Sequence, residues 1–300
     1  MLRVRVGIPH YFREESAGSS SGYGSGRTGN RLARSIAFAR SLGALLACNR
    51  SSRDWILNIS QREMELSPQA TCLASVEDIS VEVHIFVCGE FFINDVVDLY
   101  SPRIHVHRVQ LDNPIHPPLA VVRHLLDVAS PADLILYSED DLVIQDPQFF
   151  GKLAWFHQIT DHQYILMPHR REPAVARAPQ NLYVDGPINL RGLQGPIRSN
   201  NELIVFHEKY LGGLEIQFAE ASNPHSGMFC ITNQQLVRVR DAQWPPALFV
   251  SPLETAATGV LLPHFPILKP SWACRKFFEI EHANPSFLRY LGTWPERQCE

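Results

Sequence analysis

Residues Leu134 to Ile144 read LILYSEDDLVI. Two apolar runs, each able to form a buried strand, enclose Ser138, Glu139, Asp140 and Asp141. Three adjacent carboxylates repel one another and are costly to take out of water. A chain that places them there needs a cation, or the phosphate chemistry a cation supports, to compensate them. On an extended backbone side chains at i and i+2 point the same way. Glu139 and Asp141 would then share one face, with Asp140 on the other. Two carboxylates at a strand end suit Mn²⁺ or Mg²⁺, hard ions that take oxygen ligands and keep substrate phosphates in their shell. The competing reading is a solvated acidic turn with local backbone hydrogen bonds.

The pattern around this segment alternates between strand and helix. Leu2 to Ile8, Val81 to Cys88 and Ile104 to Val109 read as strands. Helices are expected over Leu32 to Cys48, with Leu32, Ile36, Ala39, Leu42 and Leu46 inward, and over His116 to Val128, with Leu119, Val122, Leu125 and Leu126 inward. Asp146-Pro147 reads as an N-cap with proline at the first helical position, opening a helix with Phe149, Phe150, Leu153 and Phe156 inward. Tyr164 to Met167 and Met228 to Ile231 read as further strands. Thr232 caps a helix through Val239, and Ser251 to Glu254 starts one ending near Pro263. Alternation of this kind predicts an α/β fold with ligands at the carboxyl ends of the strands.

Composition narrows the function classes. Three hundred residues at 45% hydrophobic content suffice for a packed core. A net charge of -4 with no long run of either sign excludes a broad nucleic-acid footprint and a polybasic anchor. Six cysteines without a CxxC pair argue against a structural zinc site and a disulfide framework, so a reducing, cytoplasmic setting is expected, or one peripheral to a membrane. No signal peptide or membrane span is visible in the sequence. Gly24 to Gly29 matches GxGxxG, but it starts well past the first strand, too far for a dinucleotide turn, and reads as a flexible loop.

Four segments together resemble glycosyltransferases of the GT-A fold. SEDD resembles their DxD segment in its EDD form. Asn223 to Leu236 (NPHSGMFCITNQQL) resembles the strand and helix beyond it, with Ser226-Gly227 near the donor sugar. Pro252 to Leu262 (PLETAATGVLL) resembles the ED…G helix of inverting sugar transferases, and His282 lies where such folds supply a histidine to the metal. The resemblance implies a GT-A-like, Rossmann-related mixed sheet flanked by helices. It implies one domain over residues 1–300, with a nucleotide-binding half (1–145) and an acceptor-binding half (146–300). The implied activity is metal-assisted sugar transfer from a UDP- or GDP-linked donor to a glycan, lipid or small-molecule acceptor.

Under this resemblance Asp141, Glu139 and His282 hold Mn²⁺ or Mg²⁺. Pro9, Tyr11 and Arg13 stand at the base and ribose, Arg31 and Arg27 approach phosphate, and Glu139, Asp140 and Gly227 face the donor. From their place after strands, Arg170 and Asp185 are acceptor candidates. One departure matters: the general base of the ED pattern is replaced by Thr255. Glu254 is then the candidate base, against a capping box in which it bonds back to the Ser251 amide. Two alternatives remain: a catalytically silent nucleotide-sugar-binding protein, and a sugar nucleotidyltransferase, which PHYFREE after the first strand disfavours.

Overall fold

Val4, Val6 and Ile8 alternate with Arg3, Arg5 and Gly7 along β1 (Leu2–His10), giving the strand two distinct faces. The computed structural model describes residues 1–14, 29–70, 78–111, 116–127, 132–174, 181–188, 203–240 and 249–294. After β1 come α1 (Arg31–Ala47), the hairpin β2 (Trp55–Asn58) and β3 (Glu63–Leu66), β4 (Ile79–Cys88), α2 (Asn94–Tyr100), β5 (His105–Val109) and α3 (Pro117–Asp127). Then follow β6 (Leu134–Ser138), β7 (Leu142–Val143), α4 (Phe149–Ile159), β8 (Ile165–Leu166), β9 (His169–Pro173) and β10 (Asn181–Tyr183). The chain continues through β11 (Ile204–Tyr210), β12 (Leu214–Glu220), β13 (Met228–Thr232), α5 (Asn233–Arg240), α6 (Pro252–Glu254), β14 (Ile267–Pro270) and β15 (Glu279–His282).

The central sheet runs β13-β6-β1-β4-β5. Four strands are parallel, and β13 joins antiparallel to β6. A parallel sheet must be covered on both faces. The even residues of β1 pack with Phe38, Leu42 and Leu45 of α1. On the opposite face a Cβ at Gly7 would meet Val121 at 2.7 Å and Leu125 at 2.9 Å, so glycine there lets α3 lie close against the sheet. The expected mixed α/β sheet flanked by helices is therefore observed.

Because β1, β4 and β6 run the same way, His10, Cys88 and Ser138 end at one edge. Two smaller sheets adjoin, β10-β9-β15-β7 and β11-β12-β14-β8. In the first, β7 resumes directly after the acidic residues and pairs antiparallel with β15, setting Leu142 opposite His282. Asp141 O also accepts from Ala283 N at 2.8 Å.

Several local expectations are corrected. Helix α1 buries Arg34, Ala37, Phe38, Ser41, Leu42 and Leu45, while Leu32 and Ile36 are 70% and 51% exposed. The helix carries two stripes at helical spacing, and the one containing Arg34 faces inward because Arg34 has buried carboxylates to meet. Helix α4 starts at Phe149 with Gln148 as N-cap; Asp146 instead accepts from Gln148 N at 2.8 Å and Lys152 Nζ at 2.6 Å. Its inward residues are the four expected, joined by His157. Thr232 does cap α5, accepting from Gln235 N while Gln235 Oε1 accepts from Thr232 N. Arg170, placed after a strand by the sequence, lies within a strand of its own, β9. Of the glycine-rich match, residues 24–28, Arg27 among them, lie outside the described residues. Cys48, Cys88, Cys230 and Cys274 are free thiols, and no described helix is long and apolar enough to cross a membrane.

Candidate active site

Strand β6 ends at Ser138, so Glu139, Asp140 and Asp141 lie in the turn before β7 rather than on an extended backbone. The i, i+2 separation of their directions is lost, and the two aspartates share a partner. Arg34 donates from Nη2 to both oxygens of Asp140 at 2.7 Å and from Nη1 to Asp141 Oδ2 at 2.9 Å. His10 completes the Asp140 cage. Its Nε2 accepts from Ile93 N at 3.0 Å, so Nδ1–H is left to donate to Asp140 Oδ2 at 2.5 Å. The ring stacks on Phe38, centroids 3.9 Å apart.

Burial opposes ionisation of both aspartates. Arg34 and His10 override it at Asp140, and His282 with Arg34 override it at Asp141, so both carboxyls are held below the usual range. Asp140 is thereby a structural anchor of the turn, which differs from the donor contact expected of it.

Strand pairing delivers His282. Its Nε2 stands 3.6 Å from Asp141 Oδ2, and its Nδ1 donates to Glu172 at 2.7 Å. Glu172 is fully buried and also accepts from the backbone N–H groups of Ser286, Phe287 and Leu288. That anchor fixes the imidazole so that Nε2 addresses Asp141. Burial pulls the imidazolium down, but Asp141 and Glu172 outweigh it and raise it to about 10. Protonated His282 and Arg34 supply positive charge to Asp141.

The donor set fits a divalent ion. A carboxylate oxygen and an imidazole nitrogen at 3.6 Å are too far apart for a hydrogen bond, yet are spaced as two ligands about 2.1 Å from one ion. The carboxylate behind His282 is the usual outer support of a metal-binding imidazole.

Glu139 does not join this pair. Its N–H donates to Gly227 O at 2.9 Å, and its carboxylate lies 3.9 Å from both Arg170 Nη1 and His225 Nε2. Among the described residues, the triads of donors gathered within 4.8 Å of one another lie elsewhere, around His84. Burial raises the Glu139 carboxyl to about 7, with Arg170 opposing and Asp141 adding. Gly227 has φ +65°, and a Cβ there would sit 2.7 Å from Glu139 Oε2. The glycine is therefore the floor under the Glu139 side chain.

Arg170 and Asp185, read as acceptor contacts, pair with each other. Asp185 is 2% exposed and accepts from Arg170 N and Nε at 2.9 Å and Lys269 Nζ at 3.1 Å. Its lone pairs are taken by internal donors, leaving it no free face for an acceptor. Burial lowers the Lys269 ammonium to about 8, with Asp185 opposing. A small cavity opens beside this group, bounded by His169, Asn223 and Trp272.

Thr255 is buried and structural: its Oγ1 donates to Ser251 O at 2.7 Å and accepts from Phe249 N at 2.9 Å. The Ser251 hydroxyl, and not its amide, donates to the Glu254 carboxylate. Gly259 keeps the following turn close to Phe249, where a Cβ would approach to 2.9 Å. At the rim, Pro9 is buried, and Tyr11 and Arg13 both lie against the Phe91 ring. Arg31 is exposed and pairs with Asp95 and Asn94.

Sequence reasoning missed Arg34 and Glu172 as parts of this site, and missed His10 as the partner of Asp140. Arg34 left a signal, since it sits on the helical stripe shared with Ala37, Phe38, Ser41, Leu42 and Leu45. A charge on such a stripe requires a buried partner.

No protein-family model matches the chain, and the curated proteins contain no match. Among solved structures, the chain is similar to S. aureus TarS 1–349, with 12% identity, a TM-score of 0.41, and coverage of 89% of this chain and 58% of that one. The same fragment in complex with UDP-GlcNAc matches at 11% identity and TM-score 0.44, over 95% of this chain and 61% of that one. GalNAc-T7 with UDP, GalNAc and Mn²⁺ matches at 9% identity and TM-score 0.45, over 94% and 43%. In each case the chain spans less than two thirds of the matched structure.

Proposed function

We propose that this chain is a metal-assisted glycosyltransferase of the GT-A type. In this reading it moves a sugar from a UDP- or GDP-linked donor to a glycan, lipid or small-molecule acceptor. The observation that carries the reading is the meeting of Asp141 and His282 at the carboxyl edge of a parallel sheet, where α/β folds bind ligands. Asp141 and His282 would hold Mn²⁺ or Mg²⁺, which would neutralise the donor diphosphate as it leaves.

The remaining roles belong to the chain itself. Arg34 and His10 hold the acidic turn rigid, so the Asp141 carboxylate is placed before any ligand arrives. Tyr11, Arg13 and Phe91 form the rim against which the nucleotide base and ribose lie, and Arg31 is on hand for phosphate. Glu139, above Gly227 and beside Arg170, faces the donor sugar. Glu254 accepts the proton of the acceptor hydroxyl, oriented by the Ser251 hydroxyl on its carboxylate. Residues 1–145 carry the nucleotide side and 146–300 the acceptor side of one unit.

The test is thermal denaturation with a panel of nucleotide sugars, each with Mn²⁺, Mg²⁺ or chelator, followed by product analysis. A ligand that binds only the native state raises the melting temperature by mass action. The expected result is a metal-dependent shift with a UDP- or GDP-sugar that Asp141→Ala abolishes. No metal-linked shift with any nucleotide sugar, or pyrophosphate release from a nucleoside triphosphate, overturns the assignment.

A further inference from the structure

On the face of the central sheet opposite His10, a second group of donors gathers at the edge. Register sets His84 of β4 level with Gly7 and opposite His105 of β5, on the face that α3 covers. His107 follows two residues on along β5, and His124 comes down from α3. One nitrogen from each of His84, His107 and His124 lies within 4.8 Å of the other two. His84 Nδ1 and His107 Nε2 are 2.8 Å apart, and the His107 and His124 rings are centred 4.9 Å apart. Phe86 walls the group, stacked on His107 at 4.6 Å and edge-on to His124 at 4.9 Å.

We propose that His84, His107 and His124 form a binding site for a borderline divalent transition metal of the zinc class, separate from the acidic turn.

Three imidazole nitrogens suit Zn²⁺, Co²⁺ or Cu²⁺ and are poor partners for Mg²⁺. Two nitrogens on a tetrahedral zinc stand about 3.3 Å apart. The 2.8 Å His84–His107 contact therefore needs to open by only a few tenths of an ångström. The second nitrogen of His84 supplies an independent sign. His84 is 7% exposed, and its Nε2 is buried without a hydrogen bond, 3.3 Å from Glu82 Oε1. With Nδ1 on a metal, Nε2 must carry the proton, and Glu82 is placed to receive it as an outer-shell carboxylate. Glu82 is held in turn by Arg5 at 3.1 Å.

Burial also lowers all three imidazoles, His84 to about 4, so they stand deprotonated at neutral pH, as ligation requires. The alternative triad of Glu82, His84 and His105 would use His84 Nε2 instead. It is the less enclosed of the two, and its carboxylate is already committed to Arg5. A bound ion would tie the edge strand β5 and helix α3 to β4, adding stability without entering the sugar-transfer chemistry.

The test uses the full chain carrying Asp141→Ala, so that the acidic turn no longer competes for metal. After chelator treatment it is titrated with Co²⁺ alone, read by visible absorption, and with Zn²⁺, read by calorimetry and melting temperature. The expected result is one equivalent bound, the absorption of four-coordinate Co²⁺, and a raised melting temperature. His107→Ala and His124→Ala, both at half-buried positions, should each weaken binding by about tenfold or more, and Glu82→Gln by about tenfold. His105→Ala should leave it unchanged. Circular dichroism confirms that each variant is folded. No stoichiometric binding in the Asp141→Ala chain overturns the proposal. So does binding that survives His107→Ala and His124→Ala but is lost in His105→Ala. Because that chain lacks Asp141, failure here leaves the glycosyltransferase reading untouched.

Discussion

Arg34 grips Asp140 with one nitrogen at 2.7 Å from both carboxylate oxygens, and neither side chain has more than a tenth of its surface in water. The pair comes from a helix and from a turn more than a hundred residues later in the chain. Removing one member of a buried ion pair strands the other, at a cost of about 3–5 kcal/mol. Arg34→Met, which keeps most of the volume, should lose stability of that order in chemical denaturation. Arg34→Met with Asp140→Asn should recover part of it. A loss under about 1 kcal/mol for the single variant would show that the turn does not depend on this contact.

Gly227 should tolerate no side chain. Its φ of +65° and the 2.7 Å approach to Glu139 Oε2 act together. Left-handed strain alone costs about 1–2 kcal/mol. Gly227→Ala should therefore lose about 2–3 kcal/mol, with displacement of Glu139 as the added cost. It should also weaken nucleotide-sugar binding in calorimetry. An alanine variant with unchanged stability and unchanged donor affinity would contradict this role.

Stability should fall in mild acid because of His157. Burial lowers this imidazole to about 3, with His162 adding to the effect. Its unfolded value is about 6.5. Between these pH values the unfolded chain binds more protons, so stability is complete above pH 6.5 and declines as pH falls toward 3. The full contribution is on the order of 5 kcal/mol. His169, lowered by burial to about 4, acts in the same direction. Denaturation midpoints measured from pH 7.5 to 4.5 should show a shallower decline in His157→Phe; identical slopes would remove His157 as the cause.

In the proposed reading, Glu254 takes the proton of the acceptor hydroxyl. Glu254→Gln should lower kcat for transfer by about a hundredfold or more, with KM for the donor nearly unchanged. A variant retaining full transfer would confine Glu254 to its bond with Ser251. Thr255→Asp should not supply a better base. The position is 1% exposed, and its hydroxyl donates to Ser251 O. A carboxylate there would meet a carbonyl oxygen, so the expected outcome is a lowered melting temperature with no gain in rate.

Much of the scaffold was legible in the residues. Two-residue alternation in β1 and β4 and the inward row Phe149, Phe150, Leu153 and Phe156 each follow from the period of one local element. The position of the acidic residues at a strand end was legible too, since an apolar run stops where charges begin. The directions of the carboxylates were not, because the strand stops at Ser138 and a turn has no two-residue rule. The inward face of α1 was misread for a related reason: burial of an arginine reverses the hydrophobic argument only when its carboxylate partners are known.

By itself, the sequence determined an α/β chain with three carboxylates at the end of a buried strand and a short list of candidate site residues. The tertiary structure alone decided who meets whom. Pairing of β7 with β15 sets His282 against Asp141, and Glu172 fixes the ring from behind. The register of β4 and β5 under α3 collects the histidines on the opposite face. Local periodicity reports which way a side chain points, whereas the partner of a buried charge is set by long-range strand register, which no short window of residues contains.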